Sequence, residues 1–186
     1  NGVSFRLSDP LFNRDIAFYV FQLPFFRQVY GWTFAILILT LLATAFLYLV
    51  RGAFTFIPPT TFRSTVSAQI HLFILIALLF FLACLGFWLD LSDLLVGKRG
   101  VVYGAGYTEV TTQVWVLYLL MALSIIGGLS FIFLIFRRDW RIPALVVLSF
   151  LLVLFLGRSV YPEFIQRFKV IPNETVLEKP FLERNI

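Results

Sequence analysis

From Val66 to Leu89 the chain reads VSAQIHLFILIALLFFLACLGFWL, without a single Asp, Glu, Lys or Arg. A helix rises about 1.5 Å per residue, so a run of about 20 apolar residues matches a bilayer hydrocarbon core about 30 Å thick. We therefore predict that this segment is a transmembrane helix.

Three further runs have the same character. Residues 29–50 and 113–136 also lack charged side chains. The run 142–161 is less clean, because Arg158 must extend its guanidinium into the headgroup layer for the helix to reach membrane length. The sequence thus predicts an all-α fold, a polytopic membrane bundle of four transmembrane helices within residues 28–161.

Composition supports a lipid bilayer as the surroundings of the chain. Hydrophobic residues make up 60% and charged residues only 13%, and the mean hydropathy is +0.93. A water-soluble domain could not cover so much apolar surface. The net charge of +5 comes from 15 Lys and Arg that are scattered over the loops. Because they form no basic block, we exclude nucleic acid as a partner.

The two flanking segments are predicted to lie outside the membrane core. In residues 1–27, Asp9-Pro10 favours a helix start, and apolar residues follow at helical spacing: Phe12, Ile16, Tyr19 and Leu23. This indicates a short interfacial helix that Pro24 would end, although a strand over residues 16–23 is an alternative. The chain lacks an initial Met and resembles a fragment, and residues 162–186 follow the last predicted span.

The charges predict an orientation. The two short connections on one side carry five arginines against the single acid Asp139: Arg51, Arg63, Arg137, Arg138 and Arg141. Such loops are typically cytoplasmic, so both ends of the chain are predicted to be extracytoplasmic. The four tryptophans fall near span ends, where their rings would anchor at the headgroup layer: Trp32, Trp88, Trp115 and Trp140.

Small residues mark candidate helix contacts. Thr40 and Thr44 share one face of the first span, and Ser124, Gly127 and Gly128 share a face of the third. Small side chains let membrane helices approach closely, so these positions favour helix packing. The alternative for Gly127-Gly128 is a break in the helix, as found in transporters.

Candidate chemistry is sparse. His71 is the only histidine and a weak candidate for a proton relay, a haem or pigment ligand, or a substrate contact. A hydrogen bond to a neighbouring helix or a headgroup explains it equally well. Cys84 is the only cysteine and is interpreted as a small hydrophobe. One His and one Cys assemble no catalytic or metal site, so the sequence predicts no enzyme, no cofactor and no metal.

Asp90 and Asp93 form the one pair of carboxylates near a span end. Two carboxylates can serve acid–base chemistry or bind a cation, but Lys98 and Arg99 follow closely and favour surface pairing. Carboxylates are unfavourable at a helix C-terminus. We therefore expect one of them to begin a separate turn over residues 91–96.

Several strings are similar to those of one protein family. They are Asp9-Pro10, Arg14-Asp15-Ile16, Leu23-Pro24-Phe25, RGVVYGAGYT at 99–108, Gln166-Arg167-Phe168 and Glu183-Arg184-Asn185-Ile186. In this order they resemble the UPF0182 family of large bacterial membrane proteins. The resemblance implies a multi-span region in the bacterial inner membrane, followed by a large extracytoplasmic domain. This chain would then supply the last four membrane helices, with residues 162–186 as an extracytoplasmic linker toward the missing domain. The resemblance carries no catalytic residues.

Three functional hypotheses follow. The first is a membrane module that anchors and orients the extracytoplasmic domain, packing with the missing helices or with copies of itself. The second is a transporter or channel component in which His71, Thr40, Thr44 and the Gly127-Gly128 region line a path. The third is an accessory subunit of a larger membrane complex, whose 23 Phe residues contact lipids, pigments or other subunits.

Overall fold

The computed structural model describes residues 5–7, 13–57, 61–96, 98–99, 102–103, 112–137, 139–165 and 167–168. Within these residues, four helical runs are long and apolar enough to cross a membrane: Phe18–Val50, Val66–Leu94, Val114–Arg137 and Arg141–Ile165. The predicted all-α fold class with four such helices is confirmed.

The helices follow one another up and down, and only residues 138–140 separate the third long helix from the fourth. Their bounds are α1 Leu23–Val50, α2 Val66–Val96, α3 Val114–Arg137, α4 Arg141–Leu152 and α5 Tyr161–Ile165. Two π-helical segments extend these runs: Phe18–Gln22 leads into α1, and Val153–Val160 joins α4 to α5. The connections hold two small antiparallel hairpins, β1 Phe54–Ile57 with β2 Thr61–Ser64, and β3 Lys98–Arg99 with β4 Val102–Tyr103.

The first helical run begins earlier than the predicted span. An oxygen of Asp15 accepts hydrogen bonds from the backbone N–H groups of Ala17 (2.8 Å) and Phe5 (3.2 Å), just before the helix. The chain then stays helical through Pro24, where we expected a separate interfacial helix to end. Pro24 sits in the first turn of α1, directly after the π-helical segment Phe18–Gln22.

The far end of α1 is defined by a glycine. Gly52 has a φ of +65°, a left-handed conformation that glycine adopts without steric cost. Its N–H bonds to the carbonyl of Leu49 at 3.1 Å, and the N–H of Arg51 bonds to that of Leu47 at 3.0 Å. The helix therefore stops at Val50, and Arg51 lies at its carboxyl end.

The second helix is longer than predicted. It continues without interruption past Leu89 to Val96, so the expected separate turn over residues 91–96 is wrong. Asp90 and Asp93 lie inside the helix, close to its carboxyl end. The unfavourable effect of the helix dipole on these carboxylates is overcome because cations from two other helical segments lie against them.

The apolar core lies between α2, α3 and the run that starts with α4. Its buried residues are Phe87, Leu91, Leu117 and Leu120. Phe150 of α4, with Val153 and Leu154, packs against them. In contrast, α1 contacts mainly α2 and leaves most of its side chains exposed. Since the helices alternate in direction, we name the two ends of the bundle the Asp90 end and the Arg51 end.

Candidate functional site: an ion cluster at the Asp90 end

Four charged side chains from three helical segments meet at the Asp90 end. Arg27 of α1 contacts both carboxylates of α2: its Nη2 lies 2.5 Å from Asp90 Oδ1, and its Nε donates to Asp93 Oδ2 at 2.7 Å. The same Nη2 also bonds to Asp93. Arg158, in the π-helical segment after α4, reaches Asp90 Oδ2 with its Nη1 at 2.7 Å. We call these four residues the ion cluster.

Asp90 is the centre of the ion cluster. Each of its two oxygens contacts a different guanidinium, and its side chain is only 19% exposed. Arg27 is 30% exposed and Arg158 51%. Charge-assisted bonds between partly desolvated groups are stronger than surface ion pairs, and losing one partner leaves a charge without compensation. The ion cluster therefore holds α1 and the α4 run against the end of α2.

The topology explains why these residues meet. Arg27 is in the second turn of α1, the two aspartates are near the end of α2, and Arg158 is near the end of the α4 run. In an up-and-down bundle these three positions lie at the same end. Asp90 and Asp93 are three residues apart, which places them on one face of α2. Two positive and two negative groups then balance in charge.

Tyr30 supports the ion cluster one turn farther along α1. Its side chain lies over Gly86 of α2, and a Cβ added at Gly86 would stand 2.7 Å from the tyrosine Cζ and closer still to its hydroxyl. The lack of a side chain at Gly86 thus allows α1 to approach α2 next to Asp90.

We expect Gly86→Ala to destabilise the protein by about 1–3 kcal/mol, because the new methyl group overlaps the phenol of Tyr30. Thermal unfolding of the full-length protein in detergent measures the loss. Adding Tyr30→Phe removes the atom nearest the methyl group and is expected to restore part of the stability. If Gly86→Ala costs the same with and without Tyr30→Phe, the contact is disproved.

An aromatic layer lies beside the ion cluster. Tyr19, Leu23 and Leu89 are buried there, and Phe18 and Trp88 pack against them. The guanidinium of Arg14 stands 4.8 Å from the ring centre of Phe18 and 4.9 Å from that of Trp88. These cation–π contacts tie the segment before α1 to the end of α2.

The predicted interface tryptophans fall into two groups. Trp88 is half-buried and packs within this aromatic layer. The other three expose most of their surface: Trp32 64%, Trp115 71% and Trp140 69%. Trp115 and Trp140 lie near helix ends, whereas Trp32 lies nine residues inside α1, close to the start of its uncharged stretch. Interface anchoring stays a prediction for these three residues.

The predicted packing residues of α3 lie in the contact with α2. Ser124, Gly127 and Gly128 are buried, and a Cβ at Gly127 would stand 2.5 Å from the ring of Phe80, while one at Gly128 would stand 2.7 Å from the ring of Phe81. The alternative of a broken helix is wrong, because α3 runs unbroken from Val114 to Arg137.

The predicted packing residues of α1 are placed differently. Thr40 is exposed, and its hydroxyl donates to the carbonyl of Ile36 one turn back, at 2.8 Å. Thr44 is half-buried. Satisfying the hydroxyl within the helix removes the cost of an unpaired polar group in apolar surroundings.

His71 lies near the Arg51 end, on an exposed face of α2. Its Nδ1 is 3.3 Å from the hydroxyl of Tyr48 on α1, and the two rings meet edge to face. This is the hydrogen bond to a neighbouring helix that the sequence left as one explanation. Cys84 is half-buried within α2. Among the described residues, no group of three or more His, Cys, Asp and Glu side chains could hold a metal ion.

The basic loop residues keep their guanidiniums at the surface. Arg51, Arg137 and Arg141 are exposed at the Arg51 end, and the guanidinium of Arg137 lies 5.9 Å from the ring centre of Phe133. The side chains of Arg63 and Arg138 lie outside the described part of the chain, as do those of Lys98 and Arg99.

Comparison with known proteins decides the family. The model of the uncharacterised protein family UPF0182 matches residues 1–186. The chain belongs to the UPF0182 family. Along its whole length it is 38% identical to a UPF0182 protein of Desulforamulus reducens, 36% identical to one of Frankia alni and 33% identical to one of Mycobacterium tuberculosis. It covers 20%, 18% and 19% of these relatives, about a fifth of their length. No solved structure matches it.

In this UPF0182 chain, the sequence pointed to the carboxylates of the ion cluster but missed their partners. Asp90 and Asp93 stood out as a pair, whereas Arg27 and Arg158 lie 63 and 68 positions from Asp90. One signal was available, because both arginines fall at the same predicted membrane depth and on the same predicted side as the two acids. Charges near the apolar boundary of adjacent spans are expected to pair.

Proposed function

We propose that this chain is an integral membrane module that anchors and orients an extracytoplasmic domain of the same protein. The ion cluster is the observation that carries the proposal. It fixes α1, α2 and the α4 run at one end of the bundle, and the chain continues past α5 from that same end. A domain attached there would be held in a defined direction rather than on a loose tether.

The charge distribution supports an orientation in the bacterial inner membrane. At the Asp90 end, Arg27 and Arg158 pair with carboxylates, and Arg167 is likewise 2.7 Å from Glu163. The Arg51 end carries exposed arginines in its short connections. Unbalanced Arg in short loops favours the cytoplasmic side, so we propose that the Asp90 end faces outward.

The exposed surface of α1 supports packing with further helices. In the most apolar stretch of the first helical run, no residue is buried. In the corresponding stretches of α2 and α3, about a third of the residues are buried. The missing part of the protein, or a second copy, is proposed to pack there. Lipid would cover whatever these helices leave open.

The transport hypothesis receives less support. Gly127 and Gly128 are covered by the rings of Phe80 and Phe81, and His71 is bonded to Tyr48 rather than facing these glycines. Thr40 lies on an exposed face of α1. The two glycines thus lie inside the contact between α2 and α3, whereas Thr40 and His71 are exposed, as expected of helices that pack rather than line a shared path.

Release by a protease tests the anchoring role. A recognition sequence for a specific protease is inserted after Phe168 in the full-length protein, and the protease is added to spheroplasts. We expect the membrane-bound protein to be cut from outside and the downstream part to enter the soluble fraction. A downstream part that stays with the membrane after complete cleavage would show that something else anchors it. Uncut protein without the inserted sequence is the control.

A further inference from the structure

The two ends of the bundle differ in how their arginines are satisfied. At the Asp90 end, Arg27 and Arg158 bond to carboxylates and Arg14 stacks on two aromatic rings. At the Arg51 end, no carboxylate of the described residues lies within ion-pair distance of the guanidiniums of Arg51, Arg137 or Arg141. Among the described residues, Arg27 and Arg158 at the Asp90 end are therefore paired with carboxylates, whereas Arg51, Arg137 and Arg141 at the other end are not.

The carboxylate of Asp139, the one described acid close to these arginines, already accepts a hydrogen bond from a backbone N–H. Asp139 lies in the connection between α3 and α4, and its Oδ1 accepts the backbone N–H of Arg141 at 3.1 Å. Arg141 is also the first residue of α4, where the positive end of the helix dipole disfavours a cation. The carboxylate of Asp139 offsets part of this repulsion, and a phosphate bound near Arg141 would offset more of it.

Exposed aromatic side chains accompany these arginines. Phe136 is 78% exposed and Trp140 69%, on either side of the connection between α3 and α4. Aromatic rings beside cationic groups suit the headgroup layer, where rings enter the apolar boundary and guanidiniums meet phosphates. The guanidinium of Arg137 also lies beside an aromatic ring, because it stands 5.9 Å from the ring centre of Phe133.

We infer that the Arg51 end binds the phosphate groups of anionic phospholipids through Arg137 and Arg141, with Arg51 adding to the positive field. Guanidinium forks match phosphate oxygens in pairs, which favours phosphate over a diffuse counterion. Trp140 and Phe136 insert beside the bound headgroup. The inference rests on the proposed membrane insertion and adds a lipid preference to it.

Titration of the purified protein with single lipids tests this lipid preference directly. The full-length protein is extracted in a mild detergent, titrated with phosphatidylglycerol or phosphatidylcholine, and examined by native mass spectrometry. We expect phosphatidylglycerol to bind more tightly than phosphatidylcholine. The double variant Arg137→Gln with Arg141→Gln is expected to lose about 25-fold in affinity for phosphatidylglycerol, about fivefold for each charge. It is expected to lose less affinity for phosphatidylcholine, because the choline cation offsets the charge of that phosphate.

Two further variants separate charge from damage to the fold. Arg137→Lys with Arg141→Lys keeps the charge but loses the paired guanidinium bonds, so it is expected to bind phosphatidylglycerol more weakly than the parent and more tightly than the double glutamine variant. Arg167→Gln removes one charge at the other end, where Arg167 pairs with Glu163, and is expected to leave binding unchanged. Equal affinities of the parent protein for both lipids, or unchanged phosphatidylglycerol binding by the double glutamine variant, would overturn the inference. Protein that never enters the membrane fraction would instead refute the proposed function.

Discussion

Replacing Asp90 with alanine is expected to destabilise the protein by about 2–3 kcal/mol, because the change leaves Arg158 without its carboxylate and Arg27 with Asp93 alone. Removing one partner of a fully buried ion pair costs about 3–5 kcal/mol. The smaller value allows for the partial exposure of both arginines, since solvent screens exposed charges. Thermal or denaturant unfolding of the full-length protein in detergent measures the change.

A matched control separates this effect from the loss of any acid. Glu163 pairs with Arg167 on the surface of the final helical turns, and both side chains are more than half exposed. Glu163→Ala should cost no more than about 0.5 kcal/mol. Removing both Asp90 and Arg158 should cost less than the sum of the two single changes, because the two groups interact. Additive costs would show that the contact between them contributes nothing.

Replacing Gly127 with leucine is expected to cost about 3 kcal/mol and to loosen the contact between α2 and α3. The ring of Phe80 occupies the space that the new side chain needs. That ring cannot simply rotate away, because it also packs on Phe131 at a centroid distance of 5.8 Å and on Phe150 at 5.3 Å. The helices must therefore separate, which unfolding measurements in detergent would record as a lower midpoint.

Gly31 on α1 provides the control for this change. No atom lies within 4 Å of the position that a Cβ would take there, so Gly31→Leu creates no overlap within the described part of the chain. Leucine also favours a helix more than glycine does, by about 0.8–1 kcal/mol. Stability equal to or above that of the parent is expected for Gly31→Leu. An equal loss from both substitutions would contradict the close packing of α2 on α3.

The number and approximate places of the helices could be predicted from sequence because long uncharged runs have few alternatives in a membrane. Each such run must satisfy its own backbone hydrogen bonds, and a helix does so locally. Val66 to Leu89 therefore identified α2 without any knowledge of its neighbours. The packing role of Ser124, Gly127 and Gly128 could be anticipated on similar grounds, since small residues allow close approach.

The ends of the helices could not be predicted in the same way. The end of α2 depends on Arg27 and Arg158, which approach it from distant parts of the chain. Local rules predicted that one of the two aspartates begins a separate turn, and tertiary charge pairing reversed that expectation. At the other end of the bundle, the hairpin of β1 and β2 had no counterpart in the prediction, because short strand pairs in loops give little periodic signal.

Accessibility of single cysteines on the two ends tests the central claim most directly. In the full-length protein, Cys84 and any other cysteine are replaced by alanine, and either Glu163→Cys at the Asp90 end or Thr65→Cys at the Arg51 end is introduced. Both sites are exposed. A membrane-impermeant maleimide is expected to label Glu163→Cys in intact cells and Thr65→Cys only after permeabilisation. Labelling of Thr65→Cys but not Glu163→Cys in intact cells would contradict the proposed orientation, and equal labelling of both would contradict a bundle that crosses the membrane.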